Sequence, residues 1–401
     1  MTPPARVSAA IQVLDEIIAG APAEKALTGW ARASRFAGSR DRAAVRDLVF
    51  DVLRRRRSVL WRSGQGRETG RALLAGLLVD ADAAGPDLFD GSPHAPAPLT
   101  AAETGAFRPL QDAPDAVRLD IPDFLEPALR ASLGAAFETA LAALQARADV
   151  HLRVNTLKAR PRLAIDVLAS DGIGVRPLPA PATALTVTEN PRKVSGSAAY
   201  RQGLVELQDA ASQIAAAAAG AAPGMTVLDL CAGGGGKTLA LGAAMEGKGK
   251  LFAYDLYPAR MKSLPERAAR AGLDVRCLDR RALPRILGAC DLVFVDAPCS
   301  GTGSWRRSPD AKWRLTPSGL ANLVTIQKKI FTEALSYLRP GGHMIYATCS
   351  ILAEENQGVL RDRLAAISGL TAGEDTVLLP SSDHDGFFYV RVARDGRPAR
   401  G

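Results

Sequence analysis

The sequence predicts an α/β protein whose C-terminal half is a doubly wound, parallel sheet, preceded by an all-helical region and a small α+β segment. Three observations carry this. From about residue 206, short apolar runs (Thr226–Leu230, Leu251–Tyr254, Asp291–Val295, Met344–Ala347) alternate with helical stretches (Lys237–Met245, Pro258–Ala271, Ser318–Leu338). Buried strands alternating with helices imply a parallel sheet covered on both faces. Residues 1–80 repeat their apolar positions at helical spacing instead. Between the two lies a short mixed stretch. The domains expected are therefore 1–145, 146–205 and 206–401, and 401 residues are enough for three cores.

Taken in order, the first helix has Val7, Ala10, Ile11, Leu14, Ile17 and Ile18 on one face, with Pro3 and Pro4 ahead of it. A second starts near Ser39, aligns Val45, Leu48, Val49, Val52 and Leu53, and ends in four arginines, Arg54 to Arg57. That run is either a solvated helix end whose cations suit the dipole or a phosphate-contacting patch. A third covers Arg71 to Asp80, and the Pro- and Gly-rich residues 84–116 are a linker. Another helix is expected from Pro122 to Ala148. In the middle segment His151–Asn155 and Ala184–Thr188 suggest strands and Pro161–Ser170 a helix. The alanines of 215–222 suggest a helix of small residues broken by Gly220.

The formal net charge of +8 permits nucleic-acid binding without requiring it. No apolar run reaches the roughly 18 residues a membrane helix needs. Arg6, Asp15 and Glu16 break any secretory pattern, so a cytoplasmic location is expected. The five cysteines (231, 277, 290, 299, 349) are odd in number and widely spaced, which is not a disulfide framework. With no C-x-x-C pair and four histidines, no metal site is expected. Nothing in the sequence calls for self-association, and a monomer is expected.

Cys231-Ala232-Gly233-Gly234-Gly235-Gly236-Lys237-Thr238 leads from a strand through glycines into a helix. Such a turn lets a ligand approach the backbone and offers free N–H groups. A phosphate-cradling P-loop would need glycine where Cys231 stands. A dinucleotide or S-adenosylmethionine both suit the loop, since Asp255 ends the next strand where a ribose-binding acid belongs. Two thiols also leave strands at their carboxyl ends: Cys299 in Asp296-Ala-Pro-Cys-Ser-Gly-Thr-Gly and Cys349 in Thr-Cys-Ser after Pro340-Gly-Gly. A free cysteine is often a small core residue, which suits Cys277 and Cys290. Between the thiol loops, Trp305, Arg306, Arg307, Lys312 and Trp313 interleave aromatics with cations, either as a solvated basic loop or as a surface for single-stranded RNA.

Asp296-Ala-Pro-Cys-Ser-Gly-Thr-Gly with Arg306-Arg307 and Pro309-Asp310-Ala-Lys312-Trp313, then Thr348-Cys349-Ser350 with Glu355-Asn356, resembles the RNA cytosine-C5 methyltransferases. More narrowly it is similar to the bacterial 16S ribosomal RNA type (RsmB/NOP/Sun-like), whose N-terminal helical domain is like the transcription factor NusB. Leu152-Arg-Val-Asn155-Thr-Leu-Lys158 and Gly203 to Gln213 match upstream motifs of the same family, and the likeness is weakest over 60–120. It departs at Gly233-Gly234, where the family has Ala-Pro.

The resemblance implies a Rossmann-like class I S-adenosylmethionine methyltransferase domain acting on RNA, most narrowly 16S ribosomal RNA. It makes Cys349 the nucleophile and Cys299 the thiol that assists product release, though related DNA enzymes use the Pro-Cys thiol as nucleophile. Asp296 would bind the cytosine edge, and Lys237 would line the pocket. The donor would lie against Cys231, Ala232, Gly233, Gly234, Gly235, Gly236 and Lys237, with Asp255 on its ribose, Asp279 at its adenine and Asp296 beside it. Arg153, Asn155 and Lys158 would extend an RNA track from Trp305, Arg306, Arg307, Lys312 and Trp313. A tRNA enzyme of the same family, an inactive ribosome-assembly protein and a dehydrogenase are the alternatives; the last leaves both thiol loops without a purpose.

Overall fold

The computed structural model describes residues 1–79 and 86–394, which form two compact units. The first comprises 1–130, 134–147 and 305–314; the second comprises 131–133, 148–304 and 315 onward.

In the first unit, helices Pro3–Ile18, Ala23–Ala33, Ser39–Arg54, Arg56–Ser63 and Gly70–Leu78 enclose a core that includes Val7, Leu14, Val49, Leu53 and Leu74. Thr2 and Thr69 cap the first and last of these by accepting from Ala5 N and Ala72 N. At Gly76 a Cβ would strike the Val59 carbonyl, so only glycine lets those two helices meet as closely as they do. The expected third helix ends at Leu78, and Asp80 lies outside the described residues, as do the first two residues of the 84–116 linker. The single helix expected from Pro122 to Ala148 is broken. Gly134 takes φ 52° and separates Glu126–Leu133 from Phe137–Gln145.

The arginine run is neither a frayed helix end nor a free phosphate patch. Arg54 pairs with Asp51 at 2.5 Å and donates to the Arg306 carbonyl at 2.9 Å. Arg56 holds Glu68 at 2.5 Å, and Arg57 holds Asp123 at 2.6 Å and the Ile121 carbonyl at 2.6 Å. Residues 305–314 complete this unit. Lys312 donates to the Arg54 carbonyl (3.0 Å) and Trp313 Nε1 to the Leu53 carbonyl (2.6 Å). The Lys312 ammonium lies 4.6 Å from the Trp313 ring centroid and 5.8 Å from that of Trp305. Burial pushes its pKa down to about 8, against the opposing charge of Asp120.

The second unit holds two sheets. The smaller has the order β2-β3-β1-β4, all antiparallel, from β1 (His151–Val154), β2 (Val175–Pro177), β3 (Ala184–Val187) and β4 (Val205–Leu207). The larger contains β5 (Thr226–Asp229), β6 (Lys250–Ala253), β7 (Arg276–Cys277), β8 (Cys290–Asp296), β9 (Leu338–Thr348), β10 (Leu370–Ala372), β11 (Thr376–Leu378) and β12 (Phe387–Arg394). Its order is β10-β12-β9-β8-β5-β6-β7, with β11 also on β12. The strands from β7 to β9 run parallel and β12 returns antiparallel on β9.

Strand side chains alternate between two cores, as a doubly covered sheet requires. Leu228, Val293, Val295, Met344 and Tyr346 pack with Phe331 and Leu335 of helix Pro317–Tyr337. Val227, Leu292, Phe294 and Ile345 pack with Ala211 and Ala215 of helix Ala210–Ala218 and Leu241 of helix Gly236–Ala244. The chain enters at β5, winds out to β7, then returns to β8 on the other side of β5. Ligands bind at the carboxyl ends of strands where such a reversal occurs. Register places the ends together: Asp229 beside Ala253 and Phe294, Asp296 beside Ala347. Among the described residues no helix is long and apolar enough to cross a membrane.

If Trp305 is a packed anchor, Trp305→Ala should destabilise the helical unit by about 3–5 kcal/mol. Urea unfolding followed by fluorescence measures this, and a loss below about 1 kcal/mol would mark the ring as surface furniture.

Candidate active site

The glycine turn after β5 is held by side chains rather than by its own stiffness. Asp255, 2% exposed beyond the end of β6, accepts from Gly233 N (2.9 Å) and Tyr257 N (2.9 Å) and pairs with Arg260 (3.0 Å). Gly235 takes φ 84°, and a Cβ there would collide with Leu264, so no other residue fits this start of helix Gly236–Ala244. Asp229 at the end of β5 is buried and accepts from Thr238 Oγ1 at 2.6 Å. Burial pushes its carboxyl up to about 7, and among the described residues its Oδ1 has no hydrogen-bond partner. An open turn with free helix N–H groups, an acid on the next strand and an unpaired buried oxygen fits a nucleoside-type ligand with polar groups to pair. Asp279 lies after β7 on the same edge, exposed, accepting from Ala282 N at 2.9 Å. Cys231 is half-buried, and burial raises its thiol pKa.

β8 and β9 deliver Cys299 and Cys349 to one place. Their sulfurs are 3.4 Å apart and both are half-buried. The two thiols are driven in opposite directions. The hydrogen bond from Cys299 lowers the pKa of Cys349; burial and Asp296 oppose this, while Ser304 and Lys237 assist it. The same bond, then burial and the Cys349 charge, raise Cys299 well above the ordinary value. The pair therefore titrates as a unit, with Cys349 its more acidic member and Cys299 its less acidic one. Lys237 Nζ meets Asp296 Oδ2 at 2.7 Å beside them and lies 5.1 Å from the Phe387 ring centroid. Burial works against the Lys237 charge, but the charge and hydrogen bond of Asp296 outweigh it and raise its pKa.

Glu355, fully buried, ties the two thiol loops to each other. Its Oε1 accepts from Ser300 N (2.8 Å) and Gln327 Nε2 (2.9 Å), and its Oε2 accepts from the Ser300 and Ser350 hydroxyls (2.5 Å each). Those serines directly follow Cys299 and Cys349. Asn356 accepts from Thr348 Oγ1 (2.6 Å) and donates to the Ser350 carbonyl (2.9 Å). Gly303 N reaches the Cys349 carbonyl at 2.9 Å.

The structure therefore gathers Cys231 to Lys237, Asp255, Asp296, Cys299 and Cys349 at one edge of the sheet. It does not bear out the expected RNA track. Arg153 is buried on β1 and donates to Gln208 Oε1 (2.6 Å) and the Gly236 carbonyl (2.7 Å); burial lowers its pKa to about 10. Asn155 is buried on the carbonyls of Gly203 and Ala271 (2.9 Å each). Lys158 is exposed but spends its ammonium on the Gln202 and Arg270 carbonyls (3.1 and 2.6 Å). Trp305, Arg306 and Lys312 are buried and Trp313 is half-buried; only Arg307 of that set is exposed. Mixed aromatic and basic composition signalled a surface, but those side chains anchor the segment. The linking role of Glu355 was missed; its one sequence signal is an acid placed just beyond the Thr-Cys-Ser turn.

The family described as 16S rRNA methyltransferase RsmB/F matches residues 219–392, and the RsmF/B-like ferredoxin-like domain matches residues 121–195. Over 313 residues the chain is 30% identical to ribosomal RNA small subunit methyltransferase B of Pseudomonas syringae pv. tomato, covering 71% of this chain and 68% of that one. It is 28% identical over 399 residues to the protein of the same name from Erwinia tasmaniensis, covering 90% and 92%. The solved structure of PH0851 has the same fold, with a TM-score of 0.74 at 23% identity over 98% of this chain and 99% of that one.

Two measurements test this geometry. Iodoacetamide alkylation of Cys349 should show a midpoint below that of an ordinary thiol, and Cys299→Ala, which removes the donor, should move it upward. A midpoint that stays put would uncouple the pair. Glu355→Ala leaves buried hydroxyls and an amide without their acceptor and should cost at least about 3 kcal/mol in urea unfolding of the second unit.

Proposed function

The chain belongs to the RsmB/F family of 16S rRNA methyltransferases, and from that premise we propose that it methylates C5 of a cytosine in small-subunit ribosomal RNA, with Cys349 as covalent nucleophile. The observation that carries the reading is the 3.4 Å thiol pair with its opposed proton affinities, seated at the reversal point of the sheet beside Lys237 and Asp296.

C5 of cytosine is a weak nucleophile, and a thiolate adding at C6 makes it enamine-like. The Cys349 sulfur forms the C6 bond, and the ring electrons move toward C5. Asp296, held in place by Lys237, is positioned to bind the base edge as that charge develops. The glycine turn would hold S-adenosylmethionine, with Asp255 at its ribose and Asp279 toward its adenine; when bound it would supply an electrophilic methyl group for C5, with the neutral thioether as leaving group. C5 then carries both a methyl and a hydrogen. In the adduct the Cys349 sulfur is a neutral thioether, so it no longer opposes ionisation of Cys299. Cys299, ionised at this stage, assists release by taking the C5 proton; the electron pair of the broken C–H bond returns to the C5–C6 bond and expels the Cys349 thiolate. The target base must leave its stack to reach the sulfur. The helical residues 1–145 are proposed as an RNA-binding module, and such a substrate sets the reaction in the cytoplasm.

The test is trapping on 5-azacytosine-containing small-subunit rRNA, followed by denaturing gel shift. The wild type and Cys299→Ser should form the adduct, with Cys299→Ser accumulating it, while Cys349→Ser forms none. The reverse pattern would exchange the two roles. Tritiated methyl transfer to tRNA but not ribosomal RNA would change the substrate, and none to any RNA would mark an assembly protein.

A further inference from the structure

We propose that a groove between helices Ala23–Ala33 and Ser39–Arg54 of the helical unit binds the phosphates of single-stranded RNA. This rests on the reading above that the substrate is RNA, and it places a binding site that the sequence motifs did not indicate. The groove encloses about 490 Å³, and its lining includes Trp30, Arg32, Arg35, Arg42 and Arg46. Arg32, Arg35 and Arg42 are exposed, and among the described residues their side chains make no ion pair or hydrogen bond.

The nearby acids are already neutralised by other cations. Glu24 pairs with Arg46 at 2.5 Å, Asp41 with Arg6 at 2.8 Å, and Asp47 with Arg147 at 2.9 Å. Three guanidinium groups consequently line one concave surface with no acid paired to them among the described residues. Like charges gathered this way repel one another and raise the local affinity for anions. Guanidinium forks match phosphate oxygens in pairs. The contrast with Arg54, Arg56 and Arg57 is informative: that more obvious run is consumed by internal acids and carbonyls.

A second cavity of about 580 Å³ shares Trp30 with the first and is lined in part by Gln12, Ser34 and Phe36. Phe36 is 77% exposed and follows Arg35 directly in sequence. An open ring beside a phosphate-binding groove is what an unstacked base uses. Phosphate and base sites together favour single-stranded RNA over an acidic polypeptide, which has no planar base to place on the ring.

The experiment uses the full chain, fluorescence anisotropy and a single-stranded RNA of about 30 nucleotides across a potassium chloride series. Replacing Arg32, Arg35 and Arg42 together by Gln should reduce the slope of log affinity against log salt by about 2, at roughly 0.7 per phosphate. Affinity at low salt should fall by about 100-fold, the order expected for three lost phosphate contacts. Phe36→Ala should weaken binding about tenfold and leave the slope unchanged. Circular dichroism and S-adenosylmethionine affinity should match the wild type in both variants. Wild-type slope and affinity in the triple variant would overturn the site, and so would loss of poly-glutamate binding with RNA binding intact. If the triple variant loses RNA affinity while the wild type methylates no RNA, the groove stands and the enzymatic reading falls.

Discussion

Two sulfurs borne on different strands can share one proton only if the turns carrying them cannot drift apart. Glu355 supplies that constraint. It lies in the helix-preceding turn after β9, yet its carboxylate reaches across to Ser300 as well as to Ser350, so β8 and β9 end in a common buried knot. The strands alone would not suffice. Their register aligns Asp296 with Ala347, but both thiols lie beyond that ladder, at 299 and 349. Past the last paired residue, position depends on side-chain acceptors. A carboxylate with several donors in a dry environment is the stiffest such acceptor available, and it would be costly to leave any of those donors unpaired.

The charges at the site follow from that placement. Burial alone raises the pKa of a thiol, as it does for Cys231 and Cys290. Cys349 escapes this because a donor sulfur lies against it and Lys237 is near, while Asp296 pulls the other way. Lys237 in turn stays charged through its contact with Asp296 despite its burial. Lys237, Asp296 and the two thiols therefore form one electrostatic set, in which the proton affinities of Lys237, Cys299 and Cys349 are displaced from their ordinary values. Removing one resets the others, so the proton affinities of the two cysteines are properties of the pair.

The fold was legible because its signals are local and repeated: four apolar runs separated by helical stretches leave few alternatives to a parallel sheet. The gathering of the glycine turn, the strand-end acids and the two thiols at one edge was legible too, since such turns and acids occur at fixed places in such a sheet. What escaped was any feature whose meaning depends on which surface a side chain faces. The Trp305 to Trp313 segment has the composition of an RNA surface, yet burial turns its tryptophans and Lys312 inward. The helix expected through 122–148 has continuous helical spacing, and a single positive-φ glycine breaks it. Arg32, Arg35 and Arg42 are unremarkable in sequence and acquire significance only when their neighbouring acids are found already paired.

The departure at Gly233-Gly234 shows how the second unit compensates for a locally weak sequence. Two glycines in place of Ala-Pro enlarge the unfolded ensemble and cost about 0.5–1 kcal/mol each in ordering. Yet the turn is tied at three points. Asp255 accepts from Gly233 N, Arg267 donates to the Gly234 carbonyl, and Arg153 donates to the Gly236 carbonyl. Arg267 is in turn fixed by Glu206 of β4, 1% exposed, which also holds Arg270 at 2.5 Å. Hydrogen bonds to charged groups contribute about 1.5–3 kcal/mol apiece, so the ties outweigh the entropy of the glycines. Arg153 and Glu206 both belong to the small sheet. Its polar residues hold the glycine turn, directly or through Arg267, and the segment that sequence pattern suggested for RNA contact acts as the buttress that gives this loop its shape.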